Sequence, residues 1–83
     1  MSKTKIGTAT HCYKKINVCI VDLIDDLKVG DTILFERGGE EILKQKVESL
    51  ELNHEKVESA KKGDEVGIKT EKEIKEGAEV YKL

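Results

Sequence analysis

The sequence predicts an all-β fold, a small closed antiparallel barrel of six or seven strands, and three observations carry that prediction. The first is a repeated phrase: Lys28-Val29-Gly30-Asp31-Thr32-Ile33 recurs as Lys61-Lys62-Gly63-Asp64-Glu65-Val66, and again, with Ala in the Asp place, as Lys75-Glu76-Gly77-Ala78-Glu79-Val80. A Gly free to take positive φ, followed within three residues by a β-branched residue that opens an alternating run, is a turn that launches a strand. The second is the spacing of apolar runs at intervals of about ten residues, which fits a sandwich or a barrel. The third is the need to hide strand edges in so short a chain; closure removes them, which favours the barrel.

The elements follow in order. Ile6 to Tyr13 alternates Ile6, Thr8, Thr10 and Cys12 against Gly7, Ala9, His11 and Tyr13, and Gly7 marks a bulge or a close backbone approach. Ile16 to Leu23 is apolar at nearly every position, as expected of a central strand covered on both sides, so Val18→Asp or Ile20→Asp is expected to unfold the domain. Asp25-Asp26 breaks the run, Leu27 and Val29 seal a turn, and Thr32 to Phe35 forms the next strand. Gly38-Gly39 signals a hairpin, because two adjacent glycines allow the positive φ angles that primed turns require.

Beyond it, the apolar phase switches between Val47 and Leu50, which predicts one long strand bent by a bulge near residues 48–50. Asn53-His54-Glu55 turns the chain, Val57 and Ala60 are short apolar anchors, and Val66 to Thr70 alternates as a strand. Residues 71–76 read as a charged connection with room for one helical turn, and Val80 to Leu83 closes the sheet.

Composition narrows the function classes. With 83 residues, 37% hydrophobic and 39% charged, the chain forms one domain, residues 1–83, with a Lys/Glu-covered exterior and little room for a supported active-site cleft. A net charge of −2 argues against nucleic-acid binding driven mainly by phosphate neutralisation. No run approaches the roughly 18 to 20 apolar residues of a membrane span, and Met1 to Lys5 leads into no signal-peptide core, so a cytoplasmic location is expected. In that setting Cys12 and Cys19 are expected to be free thiols packed as small hydrophobes. His11, Cys12, Cys19 and His54 lack the close ligand pairs of a zinc site, and no cofactor is expected.

The ordered phrases also carry a resemblance. Val47-Glu48-Ser49-Leu50-Glu51-Leu52-Asn53-His54-Glu55, running on into Gly63-Asp64-Glu65-Val66-Gly67, looks like the second domain of the translational GTPases elongation factor Tu and elongation factor one alpha. Lys15-Ile16-Asn17-Val18 and Leu27-Lys28-Val29-Gly30-Asp31-Thr32-Ile33 are similar to earlier phrases of that domain. The resemblance implies the translation-protein β-barrel and a non-enzymatic module of protein synthesis, a monomer that docks a tRNA end, rRNA or a translation-associated protein. Nucleotide hydrolysis is excluded, since no phosphate-cradling G-x-x-x-x-G-K-[ST] loop is present. The family's acidic residue in the aminoacyl pocket is displaced, with Ser59 in its place and Glu58 beside it. A related barrel is similar to the C-terminal appendage of collagenase-like peptidase proteins, some of which act in RNA modification, and this implies the alternative: an accessory domain for a separate catalytic partner.

On the family reading, the binding end gathers Tyr13, Lys14 and Lys15 with His54, Glu55, Glu58, Ser59, Lys61 and Lys62. Tyr13 beside two lysines suits stacking on a base, although packing at a hairpin end is its plainer role. Lys14-Lys15, Lys44 with Lys46 and Lys61-Lys62 make a basic stripe only if their turns meet; otherwise they are a solvated face. A biotinyl or lipoyl carrier domain shares the Gly-Asp turns and would place its modified lysine, Lys56, at a hairpin tip, but the flanking signature is missing.

Overall fold

The computed structural model describes residues 3–83 and is built from strands and turns alone among them. The strands are β1 (Thr4–Tyr13), β2 (Val18–Leu23), β3 (Leu27–Lys28), β4 (Thr32–Arg37), β5 (Glu40–Lys46), β6 (Leu50–Leu52), β7 (Glu55–Val57), β8 (Ser59–Ala60), β9 (Glu65–Lys69) and β10 (Glu79–Lys82). Eight of them form one antiparallel sheet in the order β5-β4-β10-β1-β2-β9-β6-β7, and β3 pairs with β8 in a small second sheet.

The all-β expectation holds, but the closed barrel does not form: β5 and β7 end the large sheet without pairing to each other. The expected single bent strand is in fact two strands, β5 and β6, with different partners. After Lys46 the chain leaves the ladder, Val47 exchanges hydrogen bonds with the turn at Gly30 and Asp31 at 2.9 and 2.8 Å, and β6 then joins β9. A side chain spans the remaining gap. The buried Gln45 donates from Nε2 to the Lys69 carbonyl at 2.8 Å and accepts at Oε1 from the Glu71 amide at 2.9 Å, so β5 is tied to the end of β9 without a ladder.

Turn chemistry sets the rest. Gly30, Gly63 and Gly77 all take positive φ, as the repeated phrase predicts, and in the first two copies an Asp side chain fastens the turn. Asp31 Oδ2 accepts from the Lys28 amide at 3.1 Å and Asp64 Oδ2 from the Lys61 amide at 3.0 Å. In the third copy, where Ala78 replaces Asp, β1 supplies the bonds instead: Gly77 N–H donates to the Ala9 carbonyl and Ala9 N–H to the Ala78 carbonyl, each at 2.8 Å. Gly38-Gly39 and Asn53-His54 are both pairs of positive φ residues, the geometry of a two-residue hairpin turn matched to strand twist.

The core is assembled from one face of the curled sheet, with Ile6, Val21, Phe35, Leu50, Ile68 and Val80 fully buried. Gly7 lies where the β1 register shifts, and a Cβ there would sit 2.6 Å from the Asp22 carbonyl oxygen, so both readings of this glycine hold. Several expectations need correcting. In β2 only Cys19, Val21 and Leu23 are buried, while Val18 and Ile20 are half-buried on the outer face and Ile16 is exposed, because β2 is covered on one side only. Val29 is exposed and seals nothing, whereas Ile74, within the supposed charged connection, is buried and anchors a segment that forms no helix. Cys12 and Cys19 are not free thiols: they stand directly opposite each other in the β1–β2 ladder and are joined as a disulfide.

Candidate functional site

The outer face of β2 and β9 carries a groove of about 450 Å³, lined by Tyr13, Ile16, Val18, Ile20 and Gly67 together with Glu51, Asn53, His54 and Glu65. Strand pairing explains its shape. Gly67 faces Ile20 on one side and Glu51 on the other, so the middle strand has no side chain where its neighbours do, and the hollow forms above it. The β1–β2 turn, tied by Thr70 N–H to the Asn17 carbonyl at 2.7 Å, holds Ile16 over one end. The β6–β7 hairpin brings Asn53 and His54 to the other. Tyr13 is 47% and Ile16 60% exposed, an unusual pair of large apolar residues to leave in water side by side.

Charge is arranged unevenly around this strip. Asp22 stands directly opposite Glu65 across β2 and β9, and none of the ion pairs of the described residues involves Asp22, Glu65 or Glu51. On the far side of Gly67 an adjoining hollow holds Lys56 and Lys69. The carboxylates that do find partners lie elsewhere: His11 Nδ1 is 2.7 Å from Glu76, and Lys14 is 3.9 Å from Glu73. On the other side of the molecule Lys3 pairs with the buried Glu36 and sits 4.6 Å from the centre of the Tyr81 ring. The Tyr81 hydroxyl donates to Glu79 Oε2 at 2.6 Å, which pushes the phenol up to about 12, and the same bond, with Lys5 beside it, holds the Glu79 carboxyl below its ordinary value.

The residues expected to share one binding end are split. Tyr13 and His54 line the groove, and Lys14 and Lys15 lie in the turn beside Tyr13. Lys61 and Lys62 belong to the turn whose Gly63 bonds to the Leu23 carbonyl, at the opposite end of β9 from the β1–β2 turn, roughly 15 Å away along a five-residue strand. The basic stripe therefore does not assemble. Ser59 and Lys61 line a separate hollow of about 380 Å³ with Lys28, Asp31 and Lys82, while Glu58 offers its carbonyl to the Val29 amide at 2.9 Å. Glu55 pairs with Leu52 at the start of β7, and Lys56 pairs with Glu51 within the strand, so the hairpin tip that a carrier lysine needs is occupied by Asn53-His54 instead. Ile16, Val18, Ile20 and Gly67 were not anticipated as site residues; the signal was a strand too apolar for a sheet with one wet face.

No protein-family model matches the chain. A curated relative from Methanocaldococcus jannaschii, an uncharacterized protease, is 42% identical over 81 residues. The match takes in 98% of this chain but only 20% of the relative, so the chain spans about a fifth of that protein's length. Among solved structures, the C-terminal domain of a Geobacillus thermoleovorans protein described as a U32 peptidase superposes with a TM-score of 0.87 at 15% identity, covering 96% of this chain and 92% of that one. Its selenomethionine variant gives a TM-score of 0.83 at 14% identity, covering 92% of this chain and 95% of that one.

These findings overturn the resemblance to the second domain of the elongation factors, and with it the assignment to translation. The phrases that suggested it are turn-and-strand solutions, fastened by Asp31 and Asp64 through local hydrogen bonds that any small β domain can use. The fold of this chain is that of the C-terminal domain of a U32 peptidase.

Proposed function

We propose that the chain is a non-catalytic accessory domain working with a U32-type peptidase catalytic region, the role implied by the likeness to collagenase-like peptidase appendages. The observation that carries this reading is the 42% identity running along 98% of the chain into one fifth of a protease. The groove supports it from the chemistry. Its lining offers a single imidazole, His54, on a hairpin tip, with no Ser, Thr or Cys for it to activate, and both cysteines of the chain are joined to each other.

A domain exchange tests the proposal. The matching segment of the Methanocaldococcus jannaschii relative is replaced by this chain and compared with the parent and with a deletion of that segment, using casein cleavage as the readout. The expected result is that the exchanged protein behaves as the parent and the isolated chain cleaves nothing. Cleavage by the isolated chain, or an exchanged protein no better than the deletion while its β domain is folded, would overturn the reading.

A further inference from the structure

We infer that the groove over Gly67 holds an extended polypeptide segment, with an aliphatic side chain seated above the glycine and a Lys or Arg side chain set against Asp22 and Glu65. The accessory-domain reading enters only as the source of such a segment, a polypeptide on its way to the peptidase; the binding itself belongs to this chain alone.

Gly67 is the first argument. Glycine inside a strand weakens it, and it is usually excused by a positive φ or by a neighbour that leaves no room for Cβ. Neither applies here: φ is not in the left-handed region, and a Cβ would meet Val18 Cγ1 at 3.5 Å and Ile20 Cδ1 at 3.7 Å, which are ordinary contacts. The missing side chain serves the outside of the sheet, where it opens a floor between Ile20 and Glu51. The hollow of about 450 Å³ falls within the usual size of a binding pocket and takes one large side chain with part of its backbone. Its walls, Tyr13, Ile16, Val18 and Ile20, offer apolar contact to that side chain.

Charge chooses the occupant. Like charges placed directly opposite each other in an antiparallel ladder destabilise it, and the pair Asp22 and Glu65 has no cation of the chain in ion-pair contact among the described residues. A cationic side chain from outside relieves that repulsion while its neighbour fills the apolar hollow. Lys56 and Lys69, in the adjoining hollow, give the face a polarity and confine the cation to the carboxylate end.

The experiment is fluorescence anisotropy of the folded 83-residue chain with two blocked, labelled peptides, Lys-Thr-Leu-Thr-Thr and its uncharged counterpart Gln-Thr-Leu-Thr-Thr. The lysine peptide is expected to bind about threefold tighter than the glutamine peptide, the scale of an exposed ion pair, with the advantage shrinking as salt is added. Asp22→Asn with Glu65→Gln is expected to erase the advantage and leave the glutamine peptide unchanged. Gly67→Val fills the floor and should abolish binding of both peptides; Ile16→Ser, at a residue outside the core, should weaken both by several-fold and covers the case in which the valine disturbs the sheet. Absence of binding by the folded chain, a cation preference that survives neutralisation, or binding untouched by Ile16→Ser would each overturn the inference. None of these readings involves a peptidase, so they stand or fall apart from the domain exchange.

Discussion

Leu27 and Ala60 are register partners in the small β3–β8 sheet, although they occupy the same position in two copies of one phrase. Each residue precedes a Lys-x-Gly-Asp turn, and each turn launches a strand of the large sheet, β4 in one copy and β9 in the other. The two copies thus meet head to head where their strands begin, and both side chains are buried there. The turn bonds of the two copies are equivalent, and Asp31 has Lys82 at 4.0 Å in addition. Asp31→Ala and Asp64→Ala each remove a carboxylate that accepts a turn amide, and each is expected to lower stability by about 1 kcal/mol, measured by urea denaturation. A loss at one site and none at the other would show that the turns are not equivalent.

Two strand glycines should respond in opposite ways to alanine. At Gly7 a methyl group would press on the Asp22 carbonyl oxygen at 2.6 Å, which is backbone and cannot yield, and on the buried Val21 side chain at 2.8 Å, and a destabilisation of about 1 to 3 kcal/mol is expected. At Gly67 the methyl group has room and the strand gains stiffness, so Gly67→Ala should be neutral or stabilising by up to about 1 kcal/mol. Thermal melts of the two variants against the parent decide both.

The one-sided cover of β2 yields a sharper test of the core. Val21 is fully buried, and Val21→Asp places an unpaired carboxylate there at a cost of several kcal/mol, enough to unfold a domain of this size. Ile20→Asp, on the groove side, should leave the chain folded. Far-ultraviolet circular dichroism of the two proteins separates these outcomes, and an unfolded Ile20→Asp would mean the outer face is covered after all.

The Tyr81–Glu79 pair gives stability a dependence on pH at both extremes. Glu79 has its folded pKa lowered, so its contribution is present above the ordinary carboxylate value and is lost as pH falls through the folded value. Tyr81 is raised to about 12, so its contribution is full below the ordinary phenol value of 10.0 and is lost as pH rises through about 12. Both losses should be small, because the pair is on the surface; in Tyr81→Phe the alkaline loss should vanish and the acid loss should shrink to the part that Lys5 and Lys3 sustain. Tyrosinate absorbance in a Tyr13→Phe background reads the Tyr81 titration directly; a midpoint at the ordinary phenol value would show that the bond to Glu79 does not persist in solution.

Gln45 closes by a side chain what the ladders leave open, and its two bonds predict a specific cost. Gln45→Leu keeps the volume but leaves the Lys69 carbonyl and the Glu71 amide without this partner, and a loss of about 1 to 3 kcal/mol is expected in denaturant titration. Amide exchange of Glu71 should speed up in the same variant.

Much of this architecture was legible in the sequence. The repeated Gly turns, the Gly38-Gly39 hairpin and the strand from Val66 all rest on local chemistry, and local chemistry is written residue by residue. What was not legible depended on partners distant in sequence. The phase switch between Val47 and Leu50 is equally satisfied by a bulge or by a change of partner strand, and only the pairing of Leu50 with Ile68 distinguishes them. Ile74 could not be read as core among Lys72, Glu73, Lys75 and Glu76, and the opposition of Cys12 and Cys19 became decisive only with the β1–β2 register.

The groove was half visible for the same reason. Val18 and Ile20 were recognised as apolar, but a strand apolar on both faces is read as buried until the sheet shows that nothing covers one of them. The elongation-factor likeness failed because short turn phrases recur wherever tight turns launch strands, whereas the match along 98% of the chain to part of a protease does not depend on any one of them.

The accessory role is tested most directly by sedimentation of this chain mixed with the Methanocaldococcus jannaschii relative from which the matching fifth has been removed. A one-to-one complex is expected, with the chain moving out of its free boundary as the partner is added. Two folded species sedimenting independently at every ratio would contradict it.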